Sequence, residues 1–475
     1  MKLALNKISF AVLLIGCLFG IFNVSLIVFF SYAALAGAIQ LISKCDGPPI
    51  LIIPFGFQFL QINIRSIQSS FSGKSIDEYS MFGYDVEPAM LLCSACLIAI
   101  LIGIAFVSRR RSGKAEISVD AGGYSYNKIA TTALILIGLG HGFDILSTLA
   151  APSRQLFEGL AVSKWAGLFV LVWVAYRRPR FSILAIAVSL TEIGFGLGGF
   201  FGSFREPIYI VLGAILVAAT RLRPSAMLLG GGAFFFMIWL ASFWTYVKPD
   251  YREFVNQGTN SQVVLVPYGE RMAYLFDAAS NFDGGSFETG FNQLADRIAY
   301  VEYPAVVMGR VPSIIPHAHG EQTKKAILHV LLPRLLYPNK PPLELDTVLT
   351  NQYTGLHEGF NEGTSISLGY MAELYIDYGV IGAVLGCLVI GLIIGFLYKQ
   401  ILQFNSVPSI FNVGLLMGTV LSLAIFETSL TKFIGSLLVA FITALMLQRL
   451  ALPMLLKLVG GGPKRHDIRY MTDAK

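Results

Sequence analysis

The sequence predicts an all-α, polytopic membrane bundle of about twelve transmembrane helices with one large outward-facing helical loop. The chain is 55% hydrophobic and only 13% charged, against roughly 25% charged residues in an average soluble domain. Its apolar runs have the length of membrane-spanning helices, not the ten-residue alternating pattern of outer-membrane strands. Since backbone polar groups must pair within their own segment in lipid, these runs predict helices.

Apolar runs of spanning length recur along the chain. The first follows Lys2 and Lys7 and contains a stretch at 14–17 similar to a lipoprotein cleavage box, but apolar sequence continues past Cys17. We therefore expect a retained first helix. The predicted spans are 7–22, 24–43, 49–66, 87–108, 127–149, 161–176, 181–200, 207–220, 226–246, 379–398, 409–427 and 433–452.

Basic clusters between the runs predict the orientation. If the helices alternate, all of these clusters face one side, which the positive-inside rule assigns to the cytoplasm together with both termini. The chain then divides into helices one to nine at 1–246, an outward loop at 247–378, helices ten to twelve at 379–455 and a basic cytoplasmic tail at 456–475. Cations distributed in this way indicate a multi-pass protein of the cytoplasmic membrane. They do not form the single basic patch of a nucleic-acid-binding protein. The clusters are Arg109, Arg110, Arg111 and Lys114; Arg177, Arg178 and Arg180; Arg221 and Arg223; and Lys464, Arg465 and Arg469.

The outward segment 247–378 differs in composition from the rest. It contains nine Lys or Arg, fifteen Asp or Glu, and four of the six histidines. A loop this long is usually functional or disordered. Helical spacing of apolar residues predicts a helix over 288–303, ended by Pro304, and a second helix runs from Thr323 to Leu332 before Pro333.

Three outward stretches carry candidate chemistry. The first is Gly202-Ser203-Phe204-Arg205, in which the Arg205 guanidinium lies at the edge of the membrane and is suited to bind a phosphate. Alternatively, Arg205 extends to the lipid headgroups or pairs with Glu206. The proline-rich stretch 332–342 stiffens a segment that presents Arg334, Tyr337 and Lys340 to an anionic ligand, or it is a rigid connector with solvated cations.

The third stretch, 363–379, leads into the tenth helix. Glu373 and Asp377 share one helix face, and a carboxylate there is suited to act as a general base toward a sugar hydroxyl. Tyr370, Tyr375 and Tyr378 are candidates to stack on sugar rings, or they belong to an aromatic belt at the interface. Three ionisable residues are predicted within the bilayer: His141, Asp144 and Glu192. Such residues either contact a ligand or form bonds between helices.

Standard soluble active-site motifs are missing from the sequence. It has no P-loop, HExxH or GxSxG. His317 and His319 alternate without a third nearby ligand, which is weak evidence for a metal site, so we expect no metal.

The order of these parts resembles bacterial polysaccharide polymerases of the Wzy type, the oligosaccharide repeat-unit polymerases. The resemblance rests on GS-x-R at 202–205, P-R-x-x-aromatic-P-x-K-P at 333–341, Thr364-Ser365, and E-x-Y-x-x-x-G-x-x-G at 373–382. It covers most of the chain in layout and about 40 residues in motif.

The resemblance implies a metal-independent membrane glycosyltransferase without cofactors, related in fold to the C-type glycosyltransferases. Its substrate would be a polyprenyl-diphosphate-linked oligosaccharide in the lipid bilayer, with a flippase and a chain-length regulator as partners. Arg205 and Arg334 would hold the diphosphate, and Glu373 would orient or deprotonate the acceptor hydroxyl. Substrate-binding residues would be Lys340, Tyr337, Tyr370, Tyr375, His317, His319 and Arg252.

Three other functions fit the same sequence. An O-antigen ligase has a similar layout, but its His-Asn pair is replaced here by Ser365-Ile366-Ser367. A transporter or flippase predicts two similar halves, whereas the long loop after the ninth helix makes the halves unequal. A non-catalytic subunit of an envelope complex would not need Arg205 or Arg334.

Overall fold

The computed structural model describes residues 2–22, 26–72, 74–109, 119–149, 153–197, 205–219, 224–259, 264–332, 345–356, 366–424 and 426–460. Within these ranges the fold is all-helical, as predicted. The helices are α1 (Lys2–Phe22), α2 (Leu26–Lys44), α3 (Ile52–Ser72), α4 (Glu87–Ser108), α5 (Tyr126–Leu149), α6 (Arg154–Leu160), α7 (Val162–Arg177), α8 (Ser182–Leu197), α9 (Arg205–Ala218), α10 (Pro224–Asn256), α11 (Tyr268–Ser280), α12 (Gly284–Ile298), α13 (Glu302–Arg310), α14 (Glu321–Leu331), α15 (Asp346–Thr354), α16 (Tyr370–Leu402), α17 (Ser409–Val420), α18 (Leu430–Met446) and α19 (Leu452–Leu458).

The chain is a multi-pass helical membrane protein. Seven helical stretches in the described ranges are long and apolar enough to cross a bilayer, and α1 and α17 contain shorter apolar stretches. The predicted count of about twelve also includes α3, which carries several polar residues, α9, which has only 14 residues, and the first part of α10. The seven are Leu26–Lys44, Glu87–Ser108, Tyr126–Leu149, Arg154–Arg177, Pro179–Gly196, Tyr370–Leu402 and Leu430–Leu458.

Two of the predicted cytoplasmic basic clusters have a described residue beside the end of a neighbouring helix. Arg109, after α4, pairs through its backbone with Cys45, after α2. The guanidinium carbon of Arg178 lies 4.8 Å from the ring centroid of Tyr126, which begins α5. The other basic residues of these clusters, apart from Arg177 and Arg180, lie outside the described residues.

The last long span, α16, has two parts separated by Gly379. This residue has φ 67° and ψ −167°, values that only glycine adopts readily. Residues 371–377 before the kink are all buried, whereas the helix after it exposes Ile381, Leu385 and Val389 to lipid. The sequence places the span at 379–398 because this apolar stripe starts at the kink, but the helix already begins at Tyr370.

The outward segment is a set of helices packed on the bundle. Its first residues, 247–256, continue α10, so the irregular chain begins later than predicted. The helix predicted at 288–303 is α12, which ends at Ile298. The prediction that Pro304 ends it is wrong: Pro304 lies in the first turn of α13, where a missing N–H leaves no bond unmade. The helix predicted from Thr323 to Leu332 is α14.

A buried arginine joins this segment to the bundle. The Arg65 side chain on α3 is fully buried, and its Nε donates to Glu302 Oε1 at 2.8 Å. Its Nη1 contacts Asp296 Oδ1 at 2.9 Å. The α12–α13 junction is therefore fixed to α3, because a buried guanidinium requires anionic partners.

The three ionisable residues predicted within the bilayer form bonds between helices. His141 Nε2 of α5 lies 2.7 Å from Glu192 Oε1 of α8. Asp144 of α5 accepts a hydrogen bond from Lys164 of α7. Of the two roles that the sequence left open, these contacts match the bonding of helices to one another.

Candidate functional site

Arg205 begins α9 at the end of the bundle that the sequence predicts to face outward, beside two carboxylates. Its Nε lies 3.5 Å from Glu206 Oε1, and its Nη1 lies 3.8 Å from Glu427 Oε1. The Arg205 side chain keeps 38% of its surface exposed, so it is accessible to a ligand. These are long contacts for charge-assisted hydrogen bonds, which leave the guanidinium donors available.

Lys248 lies near Arg205, and two further cations, Arg252 and Arg297, lie near Lys248. Burial lowers the pKa of Lys248, which follows the apolar part of α10, to about 7, and the charges of Arg297, Arg252 and Arg205 lower it further. Glu427 opposes this effect. We call Arg205, Lys248, Arg252 and Arg297 the cationic cluster. Like charges held together in a partly buried place are costly, and such an arrangement is typical of sites that receive an anion.

Helix packing explains how the cationic cluster forms. Lys248 and Arg252 are four residues apart and share one face of α10. Helix α12 runs beside α10 in close contact at Gly290, where an added Cβ would lie only 2.5 Å from the Ser242 carbonyl oxygen. Two turns beyond Gly290, the same α12 face reaches Arg297. The glycine thus lets the second helix approach closely enough to add its cation.

Glu373 occupies a buried position behind this cluster. Its side chain is 3% exposed, and its Oε2 accepts the backbone N–H of Leu430, the first residue of α18, at 3.1 Å. The opposite oxygen, Oε1, has no hydrogen-bond partner among the residues that the structure describes. A carboxylate at a helix N-terminus is stabilised by the helix dipole, so Glu373 fixes the start of α18.

Tyr300, at the α12–α13 junction, lies near both Glu373 and Glu427, and its hydroxyl donates to the Ser367 carbonyl. Burial raises its pKa well above the ordinary value, and the charges of Glu427, Asp346 and Glu373 raise it further. Asp346 in turn holds Lys432 of α18 at 2.7 Å. The structure therefore brings Arg205 and Glu373, predicted from separate motifs, to the same outward end through residues 426–432.

Two of the three predicted sugar-stacking tyrosines belong to the packed interior, whereas Tyr378 is 47% exposed. Tyr370 is fully buried, stacks on Phe433 with ring centroids 4.2 Å apart, and donates to Gln58 Oε1 at 3.0 Å. Tyr375 is 6% exposed and donates to the Val311 carbonyl at 2.9 Å. Neither ring has an exposed face for a sugar in this arrangement.

The histidines and Asp377 lie around the start of α14. His317 Nδ1 lies 3.2 Å from the Ile376 carbonyl, and His319 is an exposed residue with φ 50°. Asp377 accepts the N–H groups of Gln322 and Thr323, at 3.0 and 2.7 Å. Its carboxylate thus caps α14, as acidic groups do at helix N-termini.

Sequence reasoning identified part of this site and missed part of it. Arg205 and Arg252 lie in the cationic cluster, whereas Arg334, Tyr337 and Lys340 fall outside the described residues. Lys248, Arg297 and Glu427 were not predicted. A pattern in the sequence could have identified Lys248. It lies four residues before Arg252, directly after an apolar run, and like charges at this spacing destabilise a helix unless an anion pairs with them.

Three arginines and Lys248 outnumber the carboxylates of Glu206 and Glu427, so the site has a surplus of one positive charge when Lys248 is neutral and of two when it is protonated. A diphosphate substituted at both ends carries two negative charges, which matches the surplus with Lys248 protonated. Comparisons of the chain with protein-family models, curated proteins and solved structures find no match.

Proposed function

We propose that this chain is a polysaccharide polymerase of the bacterial cytoplasmic membrane. It would transfer a polyprenyl-diphosphate-linked glycan to a sugar hydroxyl of an incoming lipid-linked repeat unit at the outer face. The observation that carries the proposal is the cationic cluster at the predicted outward end of a membrane bundle, where cations outnumber carboxylates. The order of sequence motifs supplies the glycan part of the proposal.

The cationic cluster accounts for departure of the diphosphate. In glycosyl transfer the bond between the anomeric carbon and the phosphate oxygen breaks, and negative charge grows on that oxygen. Guanidinium and ammonium groups fixed at that place stabilise the developing charge more than the ground state, which accelerates the reaction. In this proposal Arg205 and Arg252 contact the diphosphate, Arg334 and Lys340 add to them, and no metal is required.

The remaining features of the proposal follow the resemblance. The bundle would have about twelve spans and a fold related to the C-type glycosyltransferases, with both termini in the cytoplasm. Its apolar surface would accept the polyprenyl chain, and a flippase and a chain-length regulator would act beside it.

Loss of the Arg205 charge tests the proposal in cells. In a strain whose own copy is deleted, Arg205→Ala should leave the protein inserted but leave only single lipid-linked repeat units, because the leaving group loses its cation. Arg154→Ala is the matched control, since that arginine is also predicted to face outward, is 70% exposed and pairs only with Glu158 among the described residues. Polymer length on gels is the measurement.

Purified protein separates the polymerase from its alternatives. Detergent-solubilised protein supplied with lipid-linked repeat units alone should form longer lipid-linked glycans, and Arg205→Ala should not. A transporter or an assembly subunit would form none, because neither makes a glycosidic bond. Normal polymer from both Arg205→Ala and the native protein would refute the catalytic assignment.

A further inference from the structure

Glu427 lies in the short connection between α17 and α18, at the edge of the cationic cluster. Its side chain is 28% exposed, and its Oε1 is 3.8 Å from Arg205 Nη1. Glu373, the carboxylate that the sequence suggested as a base, is 3% exposed and is occupied by the Leu430 N–H. Of these two carboxylates, only Glu427 is accessible to a bound sugar.

The connection that carries Glu427 is held at both ends. Before it, the Phe426 N–H donates to Gln61 Oε1 at 3.4 Å, and the Phe426 ring packs against Tyr300. After it, the Leu430 N–H is held by Glu373. A side chain on so short and fixed a segment is presented in one direction, which is the condition for positioning a reacting group.

Charged and titratable groups from three other elements surround Glu427. Arg205 and Tyr209 face it from α9, Lys248 from α10, and Tyr300 from the α12–α13 junction. The Tyr300 hydroxyl is buried and donates to the Ser367 carbonyl, so the cations are the groups that a ligand beside Glu427 would contact. A glycan whose diphosphate occupied the cationic cluster would therefore have its anomeric carbon close to Glu427.

Glu206 is the other carboxylate at Arg205, and its side chain is 27% exposed against 28% for Glu427. The two differ in their individual oxygens. Glu206 Oε1 faces Arg205 Nε at 3.5 Å, and Glu206 Oε2 is fully buried. Neither oxygen of Glu427 is among the buried side-chain atoms that lack a hydrogen-bond partner in the described part of the chain. Glu206 therefore offers an acceptor only the oxygen that faces Arg205.

We infer that Glu427 is the carboxylate that contacts the acceptor hydroxyl and removes its proton, an inference that rests on the proposed function. The acceptor oxygen forms the new bond to the anomeric carbon while the bond from that carbon to the diphosphate oxygen breaks. The electron pair of the broken bond stays on the diphosphate, held by the cationic cluster. The proton passes to a Glu427 carboxylate oxygen and then to water, and Glu373 acts as a positioning residue that holds the connection.

Neutral and truncated variants of Glu427 test this inference in the purified assay. Glu427→Gln should reduce turnover about 100-fold or more, the usual contribution of a general base, while binding of the lipid-linked repeat unit is kept. The pH profile should lose its acid limb. Glu158→Gln, at a half-exposed residue that pairs with Arg154 and lies outside the site, should keep that limb and the turnover.

Chemical rescue gives a second measurement that a structural role would not produce. In Glu427→Ala, added formate should restore part of the turnover because a small carboxylate fills the vacated space. Native turnover in Glu427→Gln, or an unchanged acid limb of its pH profile, would overturn the inference about Glu427. If Arg205→Ala is inactive in the same assay, the proposed function still stands. Native polymer from Arg205→Ala overturns the proposed function itself, so the two failures are distinguishable.

Discussion

Lys248 shows how one residue can report on ligand binding. Its ammonium lies among three guanidinium groups, and its pKa is lowered to about 7 first by burial and then by those charges. An anion in the cationic cluster would reverse both effects, because it neutralises the arginines and pairs with the ammonium. Binding of a dianion should therefore raise the pKa of Lys248 and draw a proton from solvent.

This linkage predicts a pH dependence of substrate affinity. A diphosphate substituted at both ends does not titrate near neutral pH, so proton uptake must come from the protein. Below pH 7 Lys248 is already charged and affinity should be constant; from pH 7 upward affinity should fall, by up to about tenfold per pH unit. Calorimetry in two buffers of different ionisation enthalpy would measure the proton uptake.

Lys248→Arg is the matched variant for this measurement. A guanidinium stays charged throughout this range, so the variant should bind with an affinity that is constant from pH 7 to 9. Equal pH dependence in both proteins would contradict the assignment of the titrating group to Lys248.

Among the helices, the kink of α16 separates a protein-enclosed segment from a lipid-facing one. Gly379 makes that separation possible, because its φ of 67° and ψ of −167° would strain any side chain. The buried segment before it carries Glu373, and the segment after it packs along α4. The backbone at Gly379 therefore helps to set the position of the carboxylate that holds α18.

Gly379→Ala should destabilise the protein by about 1 to 3 kcal/mol, the usual cost of this backbone conformation for a residue with a Cβ. Thermal unfolding of the solubilised protein would measure the loss. Gly138→Ala on α5 is the control, since an added Cβ there meets nothing within 4 Å and the helix gains propensity. A loss of the same size in both variants would argue against strain at the kink.

Sequence patterns predicted elements better than they predicted the site. The long apolar runs gave the positions of most membrane helices, because lipid forces helix formation wherever such a run occurs. Arg205 was found because it stands in a short motif at the end of a span. Arg297 and Glu427 were not found. Arg297 reaches the site through the packing of α12 on α10, and Glu427 reaches it through the fixed connection before α18; no local sequence pattern encodes either arrangement.

The same limit explains why the burial of Tyr370 and Tyr375 was not predicted. Aromatic residues at the start of a span are typical of the membrane interface. Here the segment that carries them is enclosed by other helices, with Tyr370 against Phe433 and Tyr375 hydrogen-bonded to Val311. Burial of that kind depends on which helices surround the segment, which the sequence of the segment itself does not contain.

At the scale of the whole molecule, Arg65 ties the outward helices to the bundle. Its partners are Glu302, which is 1% exposed, and Asp296. Removing one member of a buried ion pair leaves the other charged and unpaired, which typically costs about 3 to 5 kcal/mol. The pair is therefore essential to the arrangement of α12 and α13 even if it adds little net stability.

Arg65→Met should lower the stability of the solubilised protein by about that amount and make residues 264–332 more sensitive to protease. Adding Glu302→Gln should recover part of the loss, because the unpaired charge is removed. A single variant as stable as the native protein, or a double variant less stable than the single, would contradict this account of the tether.

The Arg65 tether also constrains how the chain is made. Arg65 and Glu302 are separated by 237 residues, which a ribosome adds in roughly 10 to 50 seconds at ordinary rates of synthesis. During that interval α3 carries a guanidinium whose anionic partners do not yet exist. We expect the insertion machinery to shelter α3, or to delay its entry into lipid, until the outward helices have emerged, so that the order of synthesis becomes part of the folding problem.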